Sequence, residues 1–278
     1  MQIILTHPFT FLSTLLSLPI PILSDHGPHI ELCLEGGRAG PFRGGKGYSS
    51  WEGGLRVPGI ISWPKMTKLN GGGIVSDVPV TSMDLFKTID EVTSPPNSLS
   101  YSKDDRLYDG VSLLPLLQNK NISARTLFHY CADVLMAARR GPFKVKFFEE
   151  KLPDDQVLSE PQCTQGIPVQ EYFETWDCHG DHVLELDPPM LFNVETDAAE
   201  RWMLNADNVS LSDEAAEAMK LILDDVSNHK KTLVPGPTQL RSDDRPLDPE
   251  LQPCCGGRDV DTNECLGCNY PNPNPRQR

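Results

Sequence analysis

Positive charge is scarce in this sequence. Its 278 residues carry 25 Lys and Arg against 39 Asp and Glu, a net charge of −14. Nucleic acid and anionic membranes attract basic surfaces, so neither fits as a partner. A nucleotide phosphate loop is missing too, because Lys46 lacks both the required preceding glycine spacing and a following Ser or Thr. The Gly71–Gly73 run reads as a flexible turn, and no internal repeat is present. Charge of either sign is absent from the first 23 positions, MQIILTHPFTFLSTLLSLPIPIL. A membrane-spanning helix needs about 20 apolar residues, and Pro8, Pro19 and Pro21 work against one here. A signal peptide needs a basic start and a small-residue cleavage site, and this stretch has neither. Residues 1–23 stay open between a buried or irregular segment, a weak signal sequence and a membrane anchor, with membrane association the least expected. Nothing in the sequence speaks to oligomeric state.

A hydrophobic content of 38% is enough for a true core in one large or two modest domains. There are eight cysteines: Cys33, Cys131, Cys163, Cys178, Cys254, Cys255, Cys265 and Cys268. Two glycosylation sequons begin at Asn121 and Asn208. Together they point to an oxidising, glycosylating compartment, the secretory pathway with a lysosomal or extracellular destination. Cys265-Leu-Gly-Cys268 has zinc-ligand spacing, but the adjacent Cys254-Cys255 pair makes a poor first half for a zinc knuckle. Disulfides are the favoured reading.

Residues 24–65 are glycine-rich loop. Thr81-Ser-Met-Asp84 resembles a capping box opening a short helix whose apolar face is Leu85, Phe86, Ile89 and Val92, ended by Ser94-Pro-Pro-Asn97. From about Asn121 the texture changes to strand-like runs: Thr126–Cys131, Phe143–Phe147 in strict apolar–polar alternation, and Met190–Val194. They read as an antiparallel meander. Ser210-Leu-Ser-Asp213 resembles a second capping box. The helix it opens carries Ala215, Met219, Ile222 and Val226 at helical spacing and cations at its C-terminal end, and it should pack on the meander. The tail beyond Pro235 is rich in proline and cysteine.

Three residues stand out chemically. Asp25 and His26 follow an apolar run directly, which places them beyond a strand's C-terminal end, where open α/β sheets build ligand sites. Asp25 is a plausible oxygen ligand for a divalent metal, with His26 beside it as ligand or proton donor, although an Asp at this position also caps turns. In Gly44-Gly-Lys-Gly47, glycines that allow close backbone approach surround a lone ammonium at Lys46, as in a loop that presents a cation to an anion. An ordinary glycine-rich turn is the competing reading. His129, in an apolar strand run, reads as a satisfied core residue, and His179 and His182 as loop residues.

"SDHGPH", "GGKGYSSWEGGLRVPGIISWP" and "TSMDLF", followed by "YDGVSLLP", "LFHYC", "DPPMLF" and "LQPCC", resemble the sulfatase family in this order. The group is that of arylsulfatase, steryl-sulfatase and N-acetylgalactosamine-6-sulfatase, and the likeness covers almost everything after Leu23. It implies an α/β fold: residues 24–120 as the last part of an alkaline-phosphatase-like mixed sheet with flanking helices, 121–234 as a small antiparallel sheet packed by one C-terminal helix, and 235–278 as a Pro/Cys-rich tail. By resemblance, Asp25 and His26 contribute to a calcium site and Lys46 contacts the sulfate of a sulfated small molecule or glycan. Fixed positive charge is what a sulfate ester needs as charge builds on its oxygens. Glu52 and Arg56 read as scaffold, an internal ion pair.

The sequence departs from the family where the nucleophile belongs. Active members carry a formylglycine made from the cysteine of a Cys-x-Pro/Ala-x-Arg motif. The nearest imitation is Cys254-Cys-Gly-Gly-Arg258, with glycine in the Pro/Ala position. The expectation is a chain truncated before the family's nucleophile and inactive alone, whose remnant sheet exposes an unpaired apolar edge. The alternatives are a non-catalytic relative that binds a sulfated ligand or a partner protein, and an unrelated disulfide-rich module.

Overall fold

A computed structural model describes residues 2–5, 19–33, 35–69, 73–93, 108–151, 180, 183–207 and 209–234. Val234–Arg278 separates from Met1–Leu233 as its own unit. Asn208, His179, His182 and the six cysteines other than Cys33 and Cys131 lie outside the described residues. Cys33 and Cys131 are both disulfide-bonded.

Two four-stranded sheets organise the rest. The first is mixed. Its strands β1 (Gln2–Leu5), β2 (Ile20–Leu23), β3 (Pro58–Ser62) and β4 (Val75–Ser76) lie in the order β2-β3-β1-β4. β1 runs parallel to β3, while β2 and β4 are antiparallel to their neighbours. Short helices α1 (Glu52–Leu55), α2 (Pro64–Leu69), α3 (Met83–Thr93) and α4 (Leu114–Leu117) accompany it. Ile61, Trp63, Met66, Val80, Leu113, Leu116 and Leu117 form its core. Strand β2 is an edge, and its Ile20 and Ile22 are exposed, as expected for a sheet that ends on an apolar strand.

Helix α3 buries a different face from the one its apolar residues suggest. Asp84 and Thr88 are buried, Leu85 and Val92 pack on the core, and Phe86 and Ile89 are exposed. The reason is hydrogen bonding. Asp84 accepts from the Thr81 backbone N–H at 2.8 Å and the Val111 N–H at 2.9 Å, and it pairs with Arg125. Thr88 Oγ1 donates to the Asp84 carbonyl and accepts from Leu113 N–H, both across 2.7–2.8 Å. One helical face thus joins three chain segments through polar contacts, and Phe86 is left to stack on Tyr108 with ring centroids 5.2 Å apart.

The second sheet is the expected antiparallel meander, β5 (Thr126–Cys131), β6 (Val134–Arg140), β7 (Phe143–Glu150) and β8 (Val183–Asn193), in sequential order. The long helix α5 (Asp213–Thr232) covers one face, burying Ala215, Ala218, Ile222 and Val226 against Leu135, Ala138, Phe143, Val145 and Leu191. Its N-cap is Ser212, whose side chain accepts from Ala215 N–H at 3.2 Å. Ser210, the expected cap, lies two residues outside, because only the hydroxyl three residues before Ala215 reaches that donor.

Asp84→Ala leaves a guanidinium and two N–H groups without their acceptor. Breaking a buried pair costs about 3–5 kcal/mol, and the value expected here is the low end because the Arg125 side chain is 20% exposed. Urea unfolding of Asp84→Ala against Asp84→Asn, which keeps one acceptor oxygen, measures it, and the alanine variant should unfold at clearly lower denaturant.

Candidate functional site

The face of the meander opposite α5 governs the site's geometry. Register places Leu127, Arg139, Lys144 and Phe192 in one cross-strand row and His129, Ala137, Lys146 and Met190 in the next. Strict alternation along Phe143–Phe147 ordinarily marks one apolar and one solvated face. Here Lys144 and Lys146 are fully buried, because the Glu52 segment is packed over them. Arg139 and Lys144 are direct cross-strand neighbours, and like charges in that position repel.

Glu52 relieves the repulsion. One carboxylate oxygen lies 2.7 Å from the Arg139 guanidinium and the other 3.1 Å from Lys144 Nζ. Glu200 adds a second anion, 2.9 Å from Lys144 Nζ and 3.4 Å from Lys146 Nζ, while its other oxygen accepts from Glu52 N–H at 2.8 Å. Although close, the Glu200 oxygen that faces the lysines lies off their hydrogen-bonding directions. Glu200 itself holds a left-handed φ of 52°, a conformation that persists only where surroundings enforce it. Lys146 Nζ also sits 3.1 Å from the Trp51 ring centroid, with the Arg43 guanidinium 4.5 Å from the same ring. Glu150 closes the arrangement by accepting from the backbone N–H groups of Ser49 at 2.5 Å and Ser50 at 3.1 Å.

Burial alone would raise the Glu52 carboxyl, but Lys144 and Arg139 outweigh it and hold the pKa at about 2. Burial also opposes the charge on Lys144, yet Glu200 and Glu52 keep its pKa raised. Lys146 is pushed down to about 8, by burial first and then by repulsion from Lys144, only partly offset by Glu200. The expected Glu52–Arg56 ion pair does not form. The Arg56 guanidinium lies 4.9 Å over the Phe42 ring, and Glu52 belongs to Arg139 and Lys144. Glu200 has no signal in the sequence, since an acidic residue in a polar loop matches any solvated surface.

With the Gly44–Arg56 loop fastened from below, its glycines are explained by packing. A Cβ at Gly53 would stand 2.3 Å from the Arg43 and Gly44 carbonyls, and one at Gly27 1.9 Å from the Gly53 carbonyl. Gly44 and Gly47 hold φ of 74° and 88°, open to glycine without strain. Lys46 N–H donates to the Pro28 carbonyl at 2.7 Å and Gly27 N–H to the Gly54 carbonyl at 3.3 Å. The Lys46 loop is thereby laced to the Ser24–His29 turn.

Asp25 and His26 lie just beyond the end of β2, as the sequence implies. The Asp25 side chain is 86% exposed, and its Oδ2 lies 3.5 Å from His26 Nε2. His26 Nδ1 is 2.6 Å from the Gly27 carbonyl, so Nδ1 carries the hydrogen, and in the neutral ring Nε2 is an acceptor facing an anionic oxygen. Two electron-rich atoms in that relation invite a proton or a cation between them. The pair therefore fits a metal as two donors, against the 6–8 oxygen ligands calcium takes. Among the described residues no group of three or more His, Cys, Asp and Glu could hold a metal ion.

Two cavities flank the turn. One, of about 560 Å³, is lined by Asp25, Thr81, His129 and Arg139; the other, of about 740 Å³, by His26, His29, Arg38 and Phe42; both share Ser24 and Arg56. Lys46 lines neither, so its link to Asp25 and His26 runs through the backbone lacing. His129 differs from the satisfied core residue its sequence suggests. It borders the first cavity with a sealed, unpartnered Nε2, and burial with nearby Lys144 drives its pKa to about 3, so the ring is neutral.

Glu52→Gln should cost about 3–5 kcal/mol at neutral pH, since it strands two buried cations. The carboxylate's stabilisation is complete above pH 4.5 and is lost as pH falls from 4.5 toward 2. Thermal unfolding of variant and parent across that range should show their Tm gap closing. Lys146 gives a slope of the same sign in an alkaline window, because its charged form is the one burial disfavours: between pH 8 and 10.5 the unfolded chain holds the proton that the folded chain releases. Stability of the parent relative to Lys146→Met should therefore rise through that window.

Comparison with known proteins identifies relatives of the chain. Residues 123–266 match the C-terminal region of aryl-sulfatase and residues 20–94 match the sulfatase domain family. The chain is 37% identical over 254 residues to an arylsulfatase of Hemicentrotus pulcherrimus, covering 89% of this chain and 40% of that protein. It is 32% identical to human steryl-sulfatase over 84% of this chain and 38% of the relative, and 31% identical to dog N-acetylgalactosamine-6-sulfatase over 84% and 41%. The chain thus spans about two fifths of the length of these relatives. The crystal structure of the PsFucS1 sulfatase from Pseudoalteromonas sp. superposes with a TM-score of 0.50 at 22% identity, over 77% of this chain and 37% of the other, which gives the alkaline-phosphatase-like α/β fold. Two adjoining family matches and relatives 31–37% identical over 84–89% of the sequence lead to one conclusion: this chain belongs to the sulfatases.

Proposed function

We propose that these residues form one wall of a sulfate-ester hydrolase site. The observation that carries this is the lacing of the Lys46 loop to the Asp25–His26 turn. It holds a cation donor loop and a metal-donor pair in fixed relation, and preorganised charge is what a developing sulfate anion needs. In this reading Lys46 contacts the sulfate, and Asp25 with His26 contributes to a calcium site. Bound calcium would polarise the ester's sulfate oxygens as a Lewis acid. The chain's own residues bind and orient the sulfate, and His26, with Nδ1 committed to Gly27, can offer only Nε2 to a ligand or a proton.

The sequence holds no Cys-x-Pro/Ala-x-Arg motif, so the chain by itself is read as gripping sulfate esters without turning them over. A non-catalytic role in binding a sulfated ligand follows from the same grip. The relatives' names span aryl, steryl and N-acetylgalactosamine-6-sulfate esters, which leaves the alcohol side open. The exposed sequon at Asn121 and the disulfide-bonded Cys33 and Cys131 support a secretory-pathway protein, lysosomal or extracellular. Among the described residues no helix is long and apolar enough to cross a membrane.

Calorimetric titration of the full chain with 4-nitrophenyl sulfate in calcium buffer should detect binding that weakens at least about tenfold in Lys46→Ala, because a charge-assisted hydrogen bond contributes roughly 1.5–3 kcal/mol. Release of nitrophenol should stay at the buffer rate. Binding indifferent to Lys46→Ala removes the sulfate role, and turnover that vanishes in the same variant contradicts the inactivity.

A further inference from the structure

The left-handed φ of 52° at Glu200 is a conformation that costs a residue with a Cβ, so something must hold it. The holding contacts lie on both sides of it. Glu200 N–H donates to the Asp197 carbonyl at 3.0 Å, and Asp197 Oδ2 accepts from Trp202 N–H at 2.7 Å. Further on, Leu204 N–H donates to the Leu191 carbonyl, Asn205 Oδ1 accepts from Leu191 N–H, and Asn205 Nδ2 donates to the Pro189 carbonyl, each at 2.8 Å. These bonds fix the turn to β8. Glu200 is buried in it, while Trp202 is left 73% exposed.

The turn delivers a carboxylate to a particular N–H. Glu200 Oε2 accepts from Glu52 N–H at 2.8 Å, across 148 residues of chain. Three N–H groups at the end of the Lys46 loop thus meet buried carboxylates, Ser49 and Ser50 at Glu150 and Glu52 at Glu200. From Glu52 the path to the strand-end turn is short: Gly53 N–H donates to the Arg43 carbonyl at 2.7 Å, and the Gly54 carbonyl accepts from Gly27 N–H. Balancing the charge of Lys144 and Lys146 needs an anion nearby, and Coulomb attraction has no preferred direction. The bond to Glu52 N–H is directional, and that is what the strained backbone serves. We propose that Glu200 is a positioning residue of the sulfate-binding wall, fixing the end of the glycine-rich loop so that Lys46 and the Asp25–His26 turn keep their relation. The inference rests on the sulfate-ester reading above.

The test compares Glu200→Gly with Glu200→Gln in the full chain carrying Lys146→Met, so that losing the carboxylate leaves Lys144 to Glu52 and strands no second ammonium. Glycine takes a left-handed φ without strain, so this variant keeps the turn and removes the carboxylate. Glutamine keeps one acceptor oxygen. Amide exchange followed by NMR reads the loop directly. In the glycine variant the Gly27 and Lys46 amides should exchange at least about tenfold faster than in Lys146→Met alone, while those of Ala218 and Ile222 in α5 keep their protection. Affinity for 4-nitrophenyl sulfate in calcium buffer should fall several-fold, with the glutamine variant in between on both counts. If the glycine variant does not fold, the glutamine variant carries the same comparison. Exchange that rises equally at all four amides, or at none, overturns the assignment, since the role is then general stability or nil. Local loosening with unchanged sulfate affinity overturns it as well. A parent chain that binds no aryl sulfate marks failure of the sulfate-ester reading instead, and the exchange pattern still decides whether Glu200 holds the loop.

Discussion

Arg139 and Lys144 stand opposite each other on neighbouring strands, shut away from water, and Glu52 divides its two oxygens between them. Without that carboxylate the inner face of the meander would hold three buried cations, Arg139, Lys144 and Lys146, and close contact with any other layer would be unfavourable. With it, and with Glu200 beside it, the face becomes a docking surface of matched charge. Buried ion pairs seldom add much net stability, because desolvation cancels most of their attraction. Their contribution here is positional, since a carboxylate shared by two fixed cations has little freedom to move.

Position passes from there to the site. Glu52 opens α1 at the end of the glycine-rich loop, and Glu150 holds the Ser49 and Ser50 N–H groups just before it. Trp51, lying between the cations of Lys146 and Arg43, fills the space between the loop and the sheet. Fastened at these points, the loop can run its backbone against Gly27 and Pro28, where no side chain larger than hydrogen fits at Gly27, Gly45 or Gly53. The turn carrying Asp25 and His26 is thus set by a sheet more than 100 residues further along the chain. Asp84 performs a parallel service on the other side, tying α3 to Val111 and Arg125.

The family resemblance, the meander, the covering helix and the placement of Asp25 and His26 beyond a strand were all readable from residue order. What misled was polarity taken at face value. Phe86 and Ile89 were expected on the apolar face and are exposed, while Asp84, expected only as a capping residue, is buried together with Thr88. The alternation through Lys144 and Lys146 looked like a solvated face and is the inside of an interface. Glu52 was correctly taken as scaffold, but its partners lie 87 and 92 residues away, not at Arg56. In each case the local pattern reports only what a side chain prefers in isolation, and a distant residue of opposite charge or a waiting N–H group changes that preference.

The sequence by itself determined the elements whose cause is local: strand periodicity in the meander, the helical spacing of Ala215, Ile222 and Val226, glycines at left-handed turns, and an order of motifs that belongs to one family. Only the tertiary structure decided which charges meet. It placed Glu52 and Glu200 on the lysine face, gave Arg38 and Arg56 on one cleft no ion pair among the described residues, and sealed the Nε2 of His129 beside a cavity. Electrostatic partnership acts through space and depends on burial, so residues far apart in the chain acquire their roles only once the two sheets are brought together.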